Sequence, residues 1–151
     1  MLLLMPRIYA HSFFNTKDIP FLSAMLIMLA LAAWAFEQRK LWQFVLLGLC
    51  CAFATGMRIT GVLLMGYTCV FMAADIVLAP RTGRSRKKAA TELLVFLLSF
   101  CIILYGIWPY LWKSPIQQFM EAYKTFSHFR WEGRMRMNGA VVLSKEMPLS
   151  Y

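Results

Sequence analysis

Acidic residues are scarce in this sequence, and charge of either sign is missing from long stretches of it. The 151 residues hold 7 Asp and Glu against 16 Lys and Arg, and 60% of the residues are hydrophobic. A mean hydropathy of +0.59 excludes an ordinary water-soluble domain, whose charges would cover every surface. No nucleic-acid-binding motif accompanies the net charge of +9, so we interpret the basic residues as loops beside lipid headgroups and expect no nucleic-acid partner.

Cysteine and histidine are too few and too scattered to indicate a disulfide framework or a metal site. The four cysteines lie within apolar runs, where cysteine usually acts as a small hydrophobic residue. No pair has the Cys-x-x-Cys spacing of a zinc or redox site, and the two histidines, His11 and His128, are far apart in sequence. We therefore predict no disulfide and no metal ligands from these residues.

Apolar runs long enough to cross a bilayer as helices make up most of the first 112 residues. The predicted spans are at about 19–36, 41–57, 59–78 and 93–112. Residues 1–6 lack the basic start of a signal peptide and are predicted to be the last turn of a further span. Residues 41–79 would measure about 58 Å as one helix, so the chain must fold back within the glycine-containing segment 56–61. The predicted fold class is all-α: a polytopic membrane helical bundle of about four spans plus the end of a fifth.

The back-and-forth path decides which polar segments share a membrane face. A hairpin over 41–78 places residues 6–18, Arg58 and everything after Trp112 on one side of the membrane. The dense basic run 81–88 is then on the other side, which we predict to be the inner one because positive loops favour the cytoplasm. Residues 1–112 thus form the transmembrane region, and 113–151 form an outer-face tail.

The tail begins with a strong helix signal. Ser114, Pro115 and Gln117 place a hydroxyl at the N-cap, proline at the first helical position and glutamine two residues further on, which is the pattern of a capping box. Apolar residues then recur at helical spacing, so we predict an amphipathic helix at about 115–129 that lies along the membrane surface.

One polar segment between the apolar runs resembles a known family. Residues 6–20 read Pro-Arg-Ile-Tyr-Ala-His-Ser-Phe-Phe-Asn-Thr-Lys-Asp-Ile-Pro. This text resembles a loop of membrane glycosyltransferases of the GT-C class, nearest to the dolichyl-phosphate-mannose protein mannosyltransferase-like family. A second similarity covers 108–116 and 127–131, followed by Gly139, Pro148 and Tyr151 in the order and spacing of such proteins. The resemblance covers nearly all of the chain.

The resemblance implies an integral membrane enzyme of the bacterial inner membrane or the endoplasmic reticulum. Such an enzyme moves a sugar from a polyprenyl-phosphate donor to a hydroxyl of a protein or lipid acceptor on the outer or luminal face, usually with inversion. In that family an acid in the first outer loop is the general base, and a second acid in a later outer loop supports the site. Asp18 matches the second acid, and this sequence has no segment that matches the outer loop of the first acid. We therefore expect this chain to be an internal fragment without activity of its own. Some members use a divalent metal, but no ligand cluster here identifies a cofactor.

Transfer from a phosphate donor needs a carboxylate for the acceptor's proton and cations for the departing phosphate. We predict Asp18 as the catalytic carboxylate, with Arg58 and then Lys17 as donor phosphate contacts. Each has a structural alternative: Asp18 as the N-cap of the next span, Arg58 as a snorkelling side chain, and Lys17 as a solvated loop charge. His11 and His128 are further outer-face candidates, although a lone histidine is more often structural.

Two features leave room for a different function. Asp75 lies near the inner end of a span and is predicted to face the bundle interior or to pair with a basic residue of 81–88. The aromatic residues from Trp108 to Trp112 are predicted to form an interfacial belt, with sugar platforms as the lesser alternative. A small non-catalytic membrane protein that binds or carries lipid or solute would suit the interrupted apolar runs and Asp75 as well, and it is our alternative to the enzyme.

Overall fold

Each long apolar run forms one helix, and charged or proline-containing segments separate the helices. The computed structural model describes residues 6, 9, 13, 17–128, 133–137 and 140–143. The helices are α1 (Asp18–Gln38), α2 (Leu41–Met57), α3 (Gly61–Leu78), α4 (Arg86–Ile107) and α5 (Pro115–Ser127). Short 3-10 turns follow α3 at Ala79–Thr82 and α4 at Pro109–Trp112, and two strands, β1 (Arg134–Met137) and β2 (Ala140–Leu143), follow α5.

Among the residues that the structure describes, three helical segments are long and apolar enough to cross a membrane: Asp18–Gln38, Gly61–Thr82 and Arg86–Ile107. The fourth apolar helix, α2, has the predicted bounds but only 17 residues. The part of the chain that the structure describes is therefore predominantly helical and suited to a lipid environment.

The last long helix departs from the predicted span at 93–112. It begins at Arg86, because the basic residues that mark the loop in a hydropathy pattern are also good helix formers. It ends at Ile107, because Pro109 disfavours helical backbone at the preceding residue, and Trp108 has φ −117° and ψ 85°. Trp112 lies instead in the 3-10 turn, where its indole Nε1 donates to the Tyr105 carbonyl oxygen at 2.8 Å.

The central element of the bundle is α2, which packs most closely against α4 and α1. Phe44, Leu47 and Cys51 of α2 are fully buried and belong to one core with Phe96 and Phe100 of α4. Small residues let the backbones of two helices come close together. In a membrane, packing rather than exclusion of water drives helix association.

The tail corrects three predictions from the sequence: the end of its helix, the capping side chains and the all-α fold class. The helix ends at Ser127 rather than near 129, and among the described atoms the Ser114 hydroxyl makes no cap hydrogen bond. The Ser114 backbone N–H donates to Gln118 Oε1 at 3.4 Å, so the side chain that reaches back is one residue later than Gln117. After the helix, the all-α fold class gives way to a short hairpin in which β1 pairs antiparallel with β2.

Four charged side chains form a network at the end of the bundle where α1 finishes and α4 begins. Asp75 accepts hydrogen bonds from Arg39 at 2.8 and 3.0 Å and from Arg84 at 2.7 Å. Glu92 accepts from Arg84 at 2.9 and 3.0 Å and from Arg39 at 3.3 Å. The prediction that Asp75 pairs with a basic residue of 81–88 is confirmed, and the network includes two further residues, Arg39 and Glu92.

Arg39 reaches this network from a left-handed backbone conformation, with φ 59° and ψ 34°. We expect Arg39→Ala to unfold more easily than Arg39→Gly, although both remove the guanidinium. The difference should be about 0.5–1 kcal/mol, because the left-handed cost of about 1–2 kcal/mol for a residue with a Cβ is partly offset by the freedom of glycine in the unfolded chain. Unfolding in mixed micelles of SDS and a zwitterionic detergent measures both variants, and equal stabilities would show that this backbone is not strained.

Candidate functional site at the Asp18 end of the bundle

The end of the bundle opposite the network holds the two residues that the sequence singled out. Arg58 Nη1 and Asp18 Oδ1 form an ion pair. Asp18 is the first residue of α1, and Arg58 follows the last residue of α2 in extended backbone, with φ −145° and ψ 132°. Two passes of the chain, out along α1 and back along α2, therefore bring a carboxylate and a guanidinium to one rim, as the predicted hairpin requires.

The structure contradicts one structural alternative, Asp18 as the N-cap, and adds a specific contact for Arg58. Lys17, not Asp18, occupies the N-cap position of α1, so the interpretation of Asp18 as the N-cap is wrong. Asp18 lies in the first turn, where the positive end of the helix dipole favours a negative charge. Arg58 does not simply extend toward water, because its guanidinium contacts Asp18. Lys17 is exposed immediately before α1.

The Asp18–Arg58 pair is accessible. The Arg58 side chain is 37% exposed and the Asp18 side chain 49% exposed. An exposed ion pair of this kind contributes only about 0–1 kcal/mol, so a phosphate that approaches the rim can compete for the guanidinium. The planar guanidinium can also offer a phosphate two parallel hydrogen bonds, which lysine cannot do.

Of the two histidines, the structure describes His128. His128 follows α5 and is exposed, and its Nδ1 lies 3.0 Å from both the Ser127 hydroxyl and the Lys124 carbonyl oxygen. These contacts are local and support the structural interpretation. His11 lies outside the described residues.

A cavity of about 480 Å³ opens beside Arg58, between the end of α2 and α5. Its walls include the residues on either side of Arg58 and the middle of α5. The lining residues are Thr55, Gly56, Met57, Ile59, Trp108, Tyr110, Glu121, Ala122, Thr125 and Phe126. We call this space the rim cavity.

The rim cavity contains an acid that the sequence analysis missed. Glu121 is the only acidic residue of α5, and its Oε2 accepts a hydrogen bond from the Tyr110 hydroxyl at 3.2 Å. Desolvation and the neighbouring Glu121 carboxylate raise the pKa of Tyr110. In the sequence Glu121 resembled any charge on the polar face of an amphipathic helix. Only the way α5 folds over α2 reveals its position.

Aromatic rings form another wall of the rim cavity. The Trp108 and Tyr110 ring centroids lie 6.4 Å apart with an interplanar angle of 31°. Phe119 meets Trp108 edge to face at 6.2 Å and 73°, which holds the indole against α5. Trp108 and Tyr110 therefore line a cavity, whereas the sequence favoured a belt of interfacial residues.

A second cavity, of about 540 Å³, lies between α4 and α5 and is almost wholly apolar. Its size and chemistry suit an aliphatic chain. The lining residues are Met65, Phe100, Cys101, Ile102, Leu104, Tyr105, Leu111, Pro115, Ile116, Phe119 and Met120. We call it the apolar cavity.

Within the described residues, no group of three or more histidine, cysteine, aspartate or glutamate side chains could hold a metal ion, so we assign no metal ligands. Comparison with protein families, with curated proteins and with solved structures found no match for the chain. The geometry and chemistry of the Asp18 end are therefore the basis for its proposed function.

Proposed function

We propose that this chain is part of a membrane glycosyltransferase that moves a sugar from a polyprenyl-phosphate donor to an acceptor hydroxyl on a protein or lipid. The observation that carries the proposal is the exposed ion pair between Asp18 and Arg58, which brings a carboxylate and a guanidinium together at one rim. The resemblance of residues 6–20 to a GT-C loop supports the same class of reaction, although Asp18 there matches the acid that supports the site, and its role as proton acceptor rests on the ion pair alone.

The proposal includes a membrane arrangement. α2 forms a fourth span beside α1, α3 and α4, and α5 lies along the membrane surface with its apolar residues toward lipid. Ile116, Met120 and Tyr123 of α5 are exposed in the bundle, which suits contact with lipid. The basic run 81–88 faces the cytoplasm, so the Asp18 end faces the outer or luminal side.

In the proposed reaction, the Arg58 guanidinium binds the donor phosphate and Asp18 faces the acceptor hydroxyl. The bond between the sugar's anomeric carbon and the phosphate oxygen breaks, and the phosphate keeps the electron pair. The acceptor oxygen forms the new bond to the anomeric carbon, and its proton passes to the Asp18 carboxylate. Arg58 stabilises the extra negative charge that the departing polyprenyl phosphate acquires.

The test uses membranes that contain the full protein, with transfer of labelled sugar from a polyprenyl-phosphate donor as the measurement. We expect Asp18→Asn to lower the transfer rate by about 10²-fold or more, the usual contribution of a positioned proton acceptor. We expect Arg58→Ala to weaken donor binding by about 10-fold or more, the loss of one charged hydrogen bond. Arg86→Ala, at the other end of the bundle, is the matched control and should change neither quantity.

Binding of a photoreactive polyprenyl phosphate gives a second measurement that needs no turnover. Unchanged transfer in Asp18→Asn would remove this acid from the reaction, and unchanged phosphate binding in Arg58→Ala would return Arg58 to a snorkelling role. The apolar cavity favours one alternative, a non-catalytic protein that binds lipid. Lipid binding without sugar transfer in the full protein would support that alternative and contradict the enzyme.

A further inference from the structure

The rim cavity has a chemical character that the proposed reaction does not by itself require. Its polar lining residues are Glu121 and Tyr110, which hydrogen-bond to each other, and Thr55 and Thr125, and its other walls are apolar or aromatic. The Thr55 hydroxyl is buried and donates to the Cys51 carbonyl oxygen at 2.9 Å. A volume of about 480 Å³ is within the range of about 300–1,000 Å³ that is usual for small-molecule sites. A few convergent polar groups within apolar walls are the usual composition of such sites.

The charges around the cavity restrict the kind of ligand. Glu121 would repel an anion at the α5 wall. Arg58 is not a lining residue, but its neighbours Met57 and Ile59 line the opposite wall, so a cation bound there would lie close to a second positive charge. A neutral ligand with several hydroxyl groups meets neither penalty. Its hydroxyls can donate to the carboxylate, and hydrogen bonds to a charged acceptor are the stronger ones. The apolar face of a sugar ring can lie against Trp108.

We propose that the rim cavity is a binding site for a neutral hexose ring, with Glu121 as the main hydrogen-bond acceptor and Trp108 as the apolar face. Tyr110 orients the Glu121 carboxylate through the 3.2 Å hydrogen bond. Because Arg58 lies between two residues that line the cavity, a hexose bound there and a phosphate bound at Arg58 are neighbours. The assignment of this hexose as the donor's sugar rests on the proposed function, whereas hexose binding itself does not.

The experiment measures binding of methyl hexosides to the full protein in phosphatidylcholine nanodiscs, which avoids sugar-based detergents. Tryptophan fluorescence reports the titration with the methyl glycosides of glucose, mannose and galactose. We expect at least one of them to bind and Glu121→Gln to weaken its binding by about 10-fold or more, as for loss of a charged hydrogen bond. Glu37→Gln, the same chemical change on an exposed residue at the far end of α1, should leave binding unchanged.

A second variant guards against loss of folding in the first. Thr125→Val keeps the shape of a cavity residue and removes its hydroxyl, and we expect a smaller loss of about 3-fold to 10-fold, as for a neutral hydrogen bond. Absence of binding by all three glycosides, or equal affinity in Glu121→Gln and Glu37→Gln, would overturn the proposed hexose site.

The outcomes separate this proposal from the proposed function. If hexoside binding depends on Glu121 but sugar transfer is unchanged in Asp18→Asn, the hexose site is supported and the proposed reaction is refuted. If sugar transfer depends on Asp18 but hexoside binding is unchanged in Glu121→Gln, the proposed reaction is supported and the hexose site is refuted. Inorganic phosphate, titrated in the same nanodiscs, should bind in a manner sensitive to Arg58→Ala and not to Glu121→Gln.

Discussion

Replacing Arg84 with alanine is expected to lower the free energy of unfolding by about 2–3 kcal/mol, somewhat less than the 3–5 kcal/mol typical of a broken buried ion pair. Arg84 joins Asp75 and Glu92, and the Glu92 side chain is only 7% exposed. Without Arg84, Glu92 keeps a single contact, to Arg39 at 3.3 Å. We expect a loss smaller than that of a fully buried ion pair because the side chains of Arg39, Asp75 and Arg84 are each about a quarter exposed.

Two comparisons sharpen the Arg84 prediction. Arg81 is exposed and forms no ion pair with any residue that the structure describes, so Arg81→Ala should change stability by less than about 0.5 kcal/mol. Combining Arg84→Ala with Glu92→Gln should cost less than the sum of the two single changes, because the double variant leaves no unpaired carboxylate at position 92. The unfolding midpoint in SDS-containing micelles measures all four proteins. Equal stabilities for Arg84→Ala and Arg81→Ala would show that the network does not stabilise the bundle.

Gly48→Ala is expected to destabilise the bundle by about 2–3 kcal/mol, the upper part of the range for overpacked cores. A Cβ at this position would collide with the Ser99 hydroxyl and lie 2.8 Å from the Phe96 carbonyl oxygen and 3.0 Å from the Phe100 backbone nitrogen. The last two atoms belong to the α4 backbone and cannot rotate away. The helices α2 and α4 would therefore have to separate along the most closely packed interface of the fold.

The chain contains its own control for this prediction. A Cβ at Gly66 of α3 would meet no described atom within 4 Å, so Gly66→Ala should be neutral or stabilise by up to about 1 kcal/mol through helix propensity. Combining Gly48→Ala with Ser99→Gly removes the nearest obstacle but not the α4 backbone, so it should recover only part of the loss. The same unfolding measurement applies, and a Gly48→Ala protein as stable as Gly66→Ala would contradict the close approach of α2 and α4.

Hydropathy predicted most of the helical framework because charges bracket the apolar runs. Lys40 and Arg58 flank α2, whose bounds match the prediction, and the hairpin correctly placed Asp18 and Arg58 at one end. The same reasoning failed for α4, since a helix can continue through the basic residues from Arg86 to Lys88. The sequence carries a signal for the β1–β2 hairpin, since Asn-Gly between two strands is a dipeptide that favours a two-residue turn.

The rim cavity could not be predicted, because it depends on how α5 folds back over the end of α2. The sequence shows Glu121 and Tyr110 as separate polar residues on different segments, and no local pattern relates them. Their hydrogen bond depends on the direction in which the chain leaves Pro109, which is a result of tertiary packing.

The short length of α2 has a consequence for the surrounding lipid. As a proposed span, its 17 residues rise about 26 Å, a few ångströms less than the hydrocarbon thickness of about 30 Å, whereas the 22 residues of α4 rise about 33 Å. Charged side chains at both ends of α2 must still reach water, so the leaflets beside it are drawn together. The Asp18–Arg58 rim would then lie in a local dimple of the membrane, and the protein should prefer thin bilayers to thick, sterol-rich ones.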